Sequence, residues 1–135
     1  VSPVPVECMV QGRIEMMVSE YCVGGSFLGD LHQGACKFNC REQLVLSDRK
    51  DAKFPIVTDQ NCRMHILNAP DLSMLTNIKH MESIGVGRLR LDARNYTNEE
   101  TASLVTLYKE VLQGDREVAE NLPHTTRGHY FRGVL

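Results

Sequence analysis

The hydrophobic and polar positions of the first forty residues predict one strand followed by a long irregular segment. Residues 4–10 (VPVECMV) are apolar and rich in valine, interrupted only by Glu7, which is typical of a short buried strand. Between Gly12 and Arg41 no period survives, and three of the five cysteines lie there. An irregular segment of about 30 residues is unusual inside a compact domain. We therefore expect something else, such as a bound metal, to organise it.

Residues 42–68 predict a small β-element. The strand-like segments 43–47 and 54–58 flank the polar run 48–51, which is typical of a hairpin. Residues 62–67 (CRMHIL) alternate between two faces and predict one further strand.

Residues 70–114 predict a helix, a strand and a second helix. Pro70 suits the first turn of a helix and Gly85 suits its end. The apolar positions between them recur at spacing three: Leu72, Leu75, Ile78 and Met81. Strand 86–92 places leucines on one face and charged residues on the other: Arg88, Arg90 and Asp92. Residues 97–100 (TNEE) have the spacing of a capping box and open a helix that ends at Gly114. Its predicted core stripe is Leu104, Val105, Tyr108, Val111 and Leu112.

This order of elements argues for an α/β fold with parallel strand pairing. The charged face of strand 86–92 cannot meet an apolar core, so it should line a solvent-filled space, as in the mouth of a barrel. A parallel barrel needs eight strand–helix units and about 250 residues, and this chain could supply only about two of them. We therefore predict one domain over residues 1–135, a partial barrel-like segment of parallel strands and helices. Its parts are a Cys-rich loop (12–41), a hairpin and strand (42–68), a helix–strand–helix part (70–114) and a tail (115–135).

An incomplete barrel would leave unpaired strand edges at residues 4–10 and 86–91, which proteins seldom tolerate. We therefore expect the chain to associate with itself as a homodimer. Val1 opens directly into a strand-like run, without an initiator methionine or a signal pattern. This start is typical of a piece cut from a larger protein, whose remaining chain would be the natural partner.

Composition narrows the class of protein. The 135 residues are 42% hydrophobic and 24% charged, which excludes a disordered or collagen-like chain. The apolar runs are far shorter than the roughly 20 residues that cross a bilayer, so no membrane partner is expected. A net charge of −2 excludes the usual basic footprint of a nucleic-acid-binding protein. Six methionines, an odd number of cysteines and no secretory signal favour the reducing cytoplasm.

Four cysteines are candidate metal ligands: Cys22, Cys36, Cys40 and Cys62. Four thiolates can close a coordination sphere around zinc or an iron–sulfur cluster. The alternative is that they are small buried hydrophobic residues. His32 could replace one sulfur if zinc takes a nitrogen ligand. Cys8 and His65 lie on predicted strands, and we interpret both as packing residues rather than ligands.

Several motifs resemble the collagenase-like peptidase family, the thirty-second of the peptidases of unassigned type. They are residues 7–12 (ECMVQG), Cys22, and residues 34–41 (GACKFNCR). Further along the chain, residues 70–72 (PDL) and 89–94 (LRLDAR) resemble that family's helix start and strand motifs. The resemblance covers about residues 4–112, with the motifs in the family's order.

The chain departs from the family pattern at four positions. Glu15 stands where the first signature cysteine is expected, Met9 replaces an aromatic residue, Gln11 replaces a histidine and Gly25 replaces a serine. If four sulfur ligands are still needed, Cys62 is the natural substitute for the missing one. Glu15 could instead supply an oxygen ligand.

The resemblance implies a larger parent protein with an N-terminal barrel. Members are classed as peptidases, yet some relatives hold an oxygen-sensitive [4Fe–4S] cluster and take part in hydroxylation of RNA bases or quinone precursors. No Gly-x-Ser-x-Gly elbow and no His-Glu-x-x-His motif is present in this chain. The expected function is therefore iron–sulfur-dependent catalysis, or an accessory role in it, in a protein that its family would class as a peptidase. The alternative is a non-catalytic module with a structural four-cysteine zinc site, and an aerobic preparation would leave the cysteines empty.

Asp92 and Arg94 are the candidate substrate contacts, because sites collect at the carboxyl ends of parallel strands. Glu7 could play a similar inward role from the first strand. The alternative is an ordinary ion pair among the charged residues of strand 86–92. The tail at residues 127–133 (RGHYFRG) mixes cations and aromatics, which suits RNA stacking, although a docked tail is the other interpretation.

Overall fold

The computed structural model describes residues 3–29, residue 34 and residues 36–131. Within these residues the strands and helices, in chain order, are β1 (Val6–Gly12), β2 (Glu15–Ser19), β3 (Leu44–Ser47), β4 (Lys53–Thr58), β5 (Met64–Leu67), β6 (Asp71–Ser73), α1 (Ile78–Ser83), β7 (Val86–Leu91), α2 (Asn98–Gln113) and β8 (Thr125–Thr126). Short helical turns occur at Gly24–Leu28, Asn39–Arg41 and Leu75–Asn77. The strands form two four-stranded sheets that do not close into a barrel, and the predicted α/β class is confirmed.

The chain divides into two compact units. The first combines Val1–Arg13 with Pro70–Leu135, and the second is Ile14–Ala69. The boundary at residue 70 coincides with the predicted start of the helix–strand–helix part. The boundary after Arg13 falls just inside the predicted Cys-rich loop.

The sheet of the first unit has the strand order β7-β1-β6-β8. Strands β1 and β7 are parallel, with Cys8 opposite Leu89, so the predicted parallel pairing is confirmed. The two faces of β7 also separate as expected, since Leu89 is half-buried while Arg88 and Arg90 are exposed. Strand β6 pairs with the other side of β1 only at Gln11 and Gly12, so the expected open edge at residues 4–10 stays a prediction. Strand β7 lies at the edge of this sheet.

The helix predicted from Pro70 begins later than expected. Asp71–Ser73 form strand β6, antiparallel to β1, with Ser73 opposite Gln11. A short turn follows, and α1 begins only at Ile78. The spacing of the apolar residues suited a helix, but pairing with β1 satisfies the backbone groups of residues 71–73 instead. Tertiary pairing therefore overrides the local pattern here.

Helix α2 begins and ends as its sequence predicts. The Thr97 hydroxyl accepts a hydrogen bond from the Glu100 N–H at 3.2 Å, and the Glu100 carboxylate accepts one from the Thr97 N–H at 2.7 Å. This is the predicted capping box, and Gly114 ends the helix at φ 83°. The buried stripe differs in detail from the prediction. Val105 and Leu112 are exposed, whereas Tyr108 and Val111 are buried.

The sheet of the second unit has the order β2-β5-β4-β3, and all its pairings are antiparallel. The predicted hairpin is confirmed as β3–β4. Its turn is held by the Asp48 carboxylate, which accepts hydrogen bonds from the N–H groups of Lys50 and Ala52. Strand β2 was missed by sequence reasoning, because glycines and cysteines beyond it obscured a short run of five residues. Cys62, predicted to open β5, lies in the preceding turn at φ 60°.

The buried apolar side chains lie mostly in the first unit. Strand β1, the segment from β6 to α1, and α2 contribute Val10, Leu72, Met74, Leu75, Ile78, Met81, Tyr108 and Val111. In the second unit Met64 and Leu67 are buried. Among the described residues no helix is both long and apolar enough to cross a membrane.

Candidate functional site

A buried polar network occupies the carboxyl end of β1 in the first unit. The Gln11 side chain, only 2% exposed, donates from Nε2 to the Tyr96 hydroxyl at 3.0 Å. Tyr96 in turn donates to Oδ2 of Asp71 at 2.5 Å. Tyr108 lies within hydrogen-bonding distance of Gln11 Oε1, at 3.0 Å, and of the Val10 carbonyl, at 2.9 Å. Four elements of the fold therefore meet at one chain of hydrogen bonds.

Strand pairing explains why these side chains converge. The antiparallel register of β1 and β6 places the end of β1 beside the start of β6. Gln11 and Asp71 therefore lie at the same edge of the sheet, the one formed by the strand ends. Tyr96 lies in the turn between β7 and α2, where its N–H donates to the Ala93 carbonyl. Parallel strands β1 and β7 end at this same edge. In α/β folds this is the edge at which binding sites form.

Gly12 allows the backbone of this edge to pack closely. Its φ is 121°, and a Cβ atom placed there would lie 2.6 Å from the Asp92 carbonyl oxygen. The Asp92 N–H donates to the Gln11 carbonyl at 2.9 Å, which holds the residue after β7 against the end of β1. A side chain at position 12 would separate them.

The two tyrosines of the network act as proton donors at neutral pH. Burial, followed by the hydrogen bond to Asp71, raises the pKa of Tyr96 to about 12. Burial also raises the pKa of Tyr108 to about 12. Both hydroxyls therefore stay protonated across the physiological range. They can orient a ligand by hydrogen bonding but do not serve as bases.

Arg13 adds a positive charge beside this network. Its Nε lies 3.0 Å from Oδ1 of Asp71, close enough for an ion pair, although Oδ1 receives no well-aligned hydrogen bond. Both side chains remain partly exposed, at 28% and 20%. The network therefore reaches the surface at the Arg13 guanidinium and the Asp71 carboxylate.

Ser73 is fully buried, and its hydroxyl oxygen makes no well-aligned hydrogen bond within the described residues. A catalytic serine needs a general base within hydrogen-bonding distance and an open path to substrate. Ser73 has neither, so the geometry does not make it a nucleophile.

The structure brings Asp92 and Arg94 together as an ion pair. Arg94 donates from Nε to Oδ1 at 2.8 Å and from its terminal nitrogen to Oδ2 at 2.6 Å. The Arg94 guanidinium lowers the pKa of Asp92. Arg94 is 77% exposed and Asp92 18%, so the pair lies at the surface of the edge defined by β1 and β7.

Glu7 does not join the pair formed by Asp92 and Arg94. It lies near the start of β1, opposite Arg88, and its carboxylate is 3.7 Å from Nε of Arg90. Both partners of this contact are about half exposed or more, so the interaction is loose. A role of Glu7 in the site stays a prediction.

The four candidate cysteine ligands all lie in the second unit. Cys22 and Cys62 line the same cavity of about 640 Å³ in the second unit. Cys36 is exposed and Cys40 half-buried on a separate turn, and all five cysteines are free thiols. In residues 3–29, 34 and 36–131, no three His, Cys, Asp or Glu side chains lie close enough to hold a metal ion. The predicted ligand set therefore stays a prediction.

His32, Glu15 and His65 are the other residues that the sequence raised as possible metal ligands. His32 lies outside the described residues. His65 is held between two carboxylates, with Nδ1 at 2.6 Å from Glu15 and Nε2 at 3.4 Å from Asp59. The hydrogen bond that His65 donates to the Glu15 carboxylate raises the pKa of His65, and the one to Asp59 adds to the shift. Glu15 is therefore occupied by an ion pair.

The described part of the tail forms a small aromatic cluster. The Arg127 guanidinium lies 4.8 Å from the centre of the Phe131 ring, and Tyr130 packs edge-on against both Phe131 and His80. These contacts hold the tail against α1, which is the docked arrangement. Phe131 stays 60% exposed, and RNA stacking on it stays a prediction.

Sequence reasoning missed the polar network itself. Gln11 and Asp71 lie within motifs that resemble the family pattern, but nothing in their spacing assigned them a role. Tyr96 and Tyr108 carried no signal, because Tyr108 looked like an ordinary core position and Tyr96 lies in a turn. Only the register of β1 with β6, together with the position of α2, joins these four side chains.

Comparison with known proteins identifies the family. The sequence model described as Peptidase family U32 matches residues 1–128. No curated protein and no solved structure matches the chain. The family match covers nearly the whole chain and agrees with the resemblance of its motifs. This protein belongs to Peptidase family U32.

Proposed function

We propose that this chain forms the substrate-binding edge of a U32-family enzyme that acts on peptides. Gln11, Asp71 and Tyr96 would orient the substrate at the carboxyl ends of β1 and β7. The observation that supports this is the buried hydrogen-bonded network linking those residues to Tyr108. Its position at the edge where α/β sites form favours a binding role.

The chemistry of the edge suits an extended peptide. Arg13 and Arg94 provide cations, each beside a carboxylate, and the Tyr96 hydroxyl, which donates to Asp71, keeps a lone pair. Strand β7 lies at the edge of its sheet within the described residues, so its backbone can accept an added strand. A peptide paired with β7 would reach Asp92 and Arg94 at the end of that strand.

The proposal concerns binding and orientation. The tyrosines stay protonated and Ser73 has no base, so none of these groups supplies a nucleophile. Peptide-bond hydrolysis would need catalytic groups in addition to the ones described. The family description is what makes a peptide the first substrate class to test.

Fluorescence anisotropy with a labelled gelatin peptide tests the proposal, and labelled transfer RNA serves as the competing ligand. We expect the peptide to bind and both Tyr96→Phe and Asp71→Asn to weaken binding about tenfold, since one lost hydrogen bond to a charged group corresponds to about 1.4 kcal/mol. Tyr130→Phe removes a hydroxyl outside this edge and should bind as the wild type does. Unchanged binding by Tyr96→Phe, or binding of transfer RNA alone, would contradict the proposal.

Iron–sulfur-dependent hydroxylation is the second candidate function. One observation favours it, namely that two of the four expected ligands, Cys22 and Cys62, share a cavity. Anaerobic reconstitution with iron and sulfide should give a brown protein in the wild type and in Cys8→Ser, but not in Cys22→Ser or Cys62→Ser. A colourless protein with one bound zinc would support the structural zinc module instead. Absence of both metals would argue against either form of the site.

A further inference from the structure

We infer that the peptide strand added to β7 is acidic, with two carboxylate side chains that are separated by one residue and pair with Arg88 and Arg90. This inference rests on the proposed function, because it names the substrate class of the same edge. A strand that joins β7 gains main-chain hydrogen bonds whatever its sequence, so side chains decide which peptides are preferred. The side chains that β7 presents beside its free edge therefore set the specificity.

Arg88 and Arg90 lie on one face of β7. Successive side chains of a strand point to opposite faces, so residues two positions apart share a face and lie about 7 Å from each other. Both arginines are exposed, with 62% of the Arg90 side chain accessible to solvent. Leu89, between them, lies on the other face and is half-buried. An extended peptide has the same repeat, so its alternate side chains match the spacing of the two guanidinium groups.

Positive charge exceeds negative charge on this face of the sheet. Glu7 of β1 is the strand partner of Arg88, and its carboxylate lies 3.7 Å from Nε of Arg90. The Arg88 side chain forms no ion pair among the described residues. One carboxylate, itself 47% exposed, therefore faces two guanidinium groups. Opposite charges on neighbouring strands attract and like charges repel, so this face favours an incoming acidic strand.

Arg94, the third arginine of this edge, contributes less to the preference. It donates to both oxygens of the Asp92 carboxylate, at 2.8 Å and 2.6 Å. A guanidinium group that already holds a carboxylate with two hydrogen bonds gains little from a second carboxylate. The preference for acidic side chains is therefore expected from Arg88 and Arg90.

Charged residues on an edge strand can also serve only to prevent strand addition. The two roles differ in what they predict for an acidic peptide. Protection of the edge predicts that no peptide binds and that the chain associates with itself once Arg88 is replaced. Selection predicts that an acidic strand binds more tightly than a neutral one.

Fluorescence anisotropy with three labelled peptides of equal length tests the inference. The first carries two glutamates separated by one valine, the second carries the same residues with the glutamates adjacent, and the third carries glutamines in place of the glutamates. Adjacent side chains of a strand point to opposite faces, so the second peptide can place only one carboxylate beside the arginines. At low salt we expect the first peptide to bind about fivefold more tightly than the third and about twofold more tightly than the second. These differences should vanish in about 1 M sodium chloride.

Three variants assign the preference to this face. Arg88→Gln should reduce the fivefold preference to about twofold, since one of the two cations is lost. Arg49→Gln removes the same charge from the exposed hairpin turn between β3 and β4 and should keep the full preference. Glu7→Gln removes the competing carboxylate, so it should strengthen binding of the first peptide about twofold and leave the glutamine peptide unchanged. A variant that only disturbs folding would weaken binding, and this gain of affinity therefore separates recognition from damage.

The outcomes distinguish this inference from the proposed function. Equal binding of the three peptides would overturn the acidic preference and leave peptide binding at this edge in place, whereas binding of none of them would overturn both. Displacement of the first peptide by an equal concentration of transfer RNA would make phosphate the ligand of the two arginines and would overturn the inference. An intact acidic preference, together with gelatin binding that ignores Tyr96→Phe and Asp71→Asn, would remove only the proposed role of the hydrogen-bonded network.

Discussion

Replacing Gly12 by alanine should destabilise the first unit more than the same change at any open glycine. The residue has φ 121°, which disfavours any side chain. The new Cβ would also lie 2.6 Å from the Asp92 carbonyl oxygen and 2.8 Å from the Asp92 Cβ. Since the nearest atom belongs to the backbone, β1 and β7 must move apart at their ends to relieve the overlap.

The size of the effect can be worked from these two contributions. A left-handed conformation costs an ordinary residue about 1–2 kcal/mol. Overpacking in a tightly packed region costs about 1–3 kcal/mol more. We therefore expect Gly12→Ala to lower the free energy of unfolding by about 2–5 kcal/mol. With a urea dependence of about 2 kcal/mol per molar, the middle of the usual range, the midpoint should fall by roughly 1–2.5 M.

Gly85→Ala is the matched control for this experiment. Gly85 also has a positive φ, 92°, but a Cβ there would meet no atom within 4 Å. The control therefore carries the conformational penalty without the overlap. Urea unfolding followed by far-ultraviolet circular dichroism measures both variants. Equal losses of stability in the two variants would refute the reasoning, because the close approach of Asp92 to Gly12 would then contribute nothing.

Three further predictions follow from single contacts. Asp92→Asn should lower the free energy of unfolding by no more than about 1 kcal/mol, since its partner Arg94 is 77% exposed. A larger loss of unfolding free energy, measured in urea, would show that the pair is structural. Because its pKa is lowered in the folded state, the stability that Asp92 contributes is present above the unfolded-state value of 3.8 and is lost as the pH falls through the folded one. His65 behaves in the opposite way, because its pKa is raised above 6.5. Its contribution is complete below 6.5 and is lost as the pH rises through the folded-state value. The melting temperatures of wild type and His65→Gln should therefore converge at alkaline pH. Thr97→Ala should lower the free energy of unfolding by about 0.5–2 kcal/mol, because α2 loses its cap. Thr106→Ala, exposed in the middle of the same helix, should leave that free energy unchanged. Equal unfolding free energies for the two variants would contradict the capping assignment.

Short-range sequence signals determined much of the local secondary structure of this protein. The capping box at Thr97, the stop at Gly114 and the hairpin turn at Asp48 each depend on hydrogen bonds between residues a few positions apart. Such contacts involve only neighbouring residues, so the sequence alone predicts them. The alternation of leucine and arginine in β7 likewise identified its two faces, and the order of strands and helices identified its parallel pairing.

Tertiary structure decided what depends on pairing between distant segments. Asp71–Ser73 became a strand because β1 offered hydrogen-bonding partners, although the apolar spacing favoured a helix. The same pairing brought Gln11 to Asp71, and the position of α2 added Tyr108 across 97 residues of sequence. The shared cavity of Cys22 and Cys62 likewise follows from the register of β2 with β5. A strand register results from the summed packing of two strands, so no local sequence pattern encodes it. Both candidate sites depend on such a register.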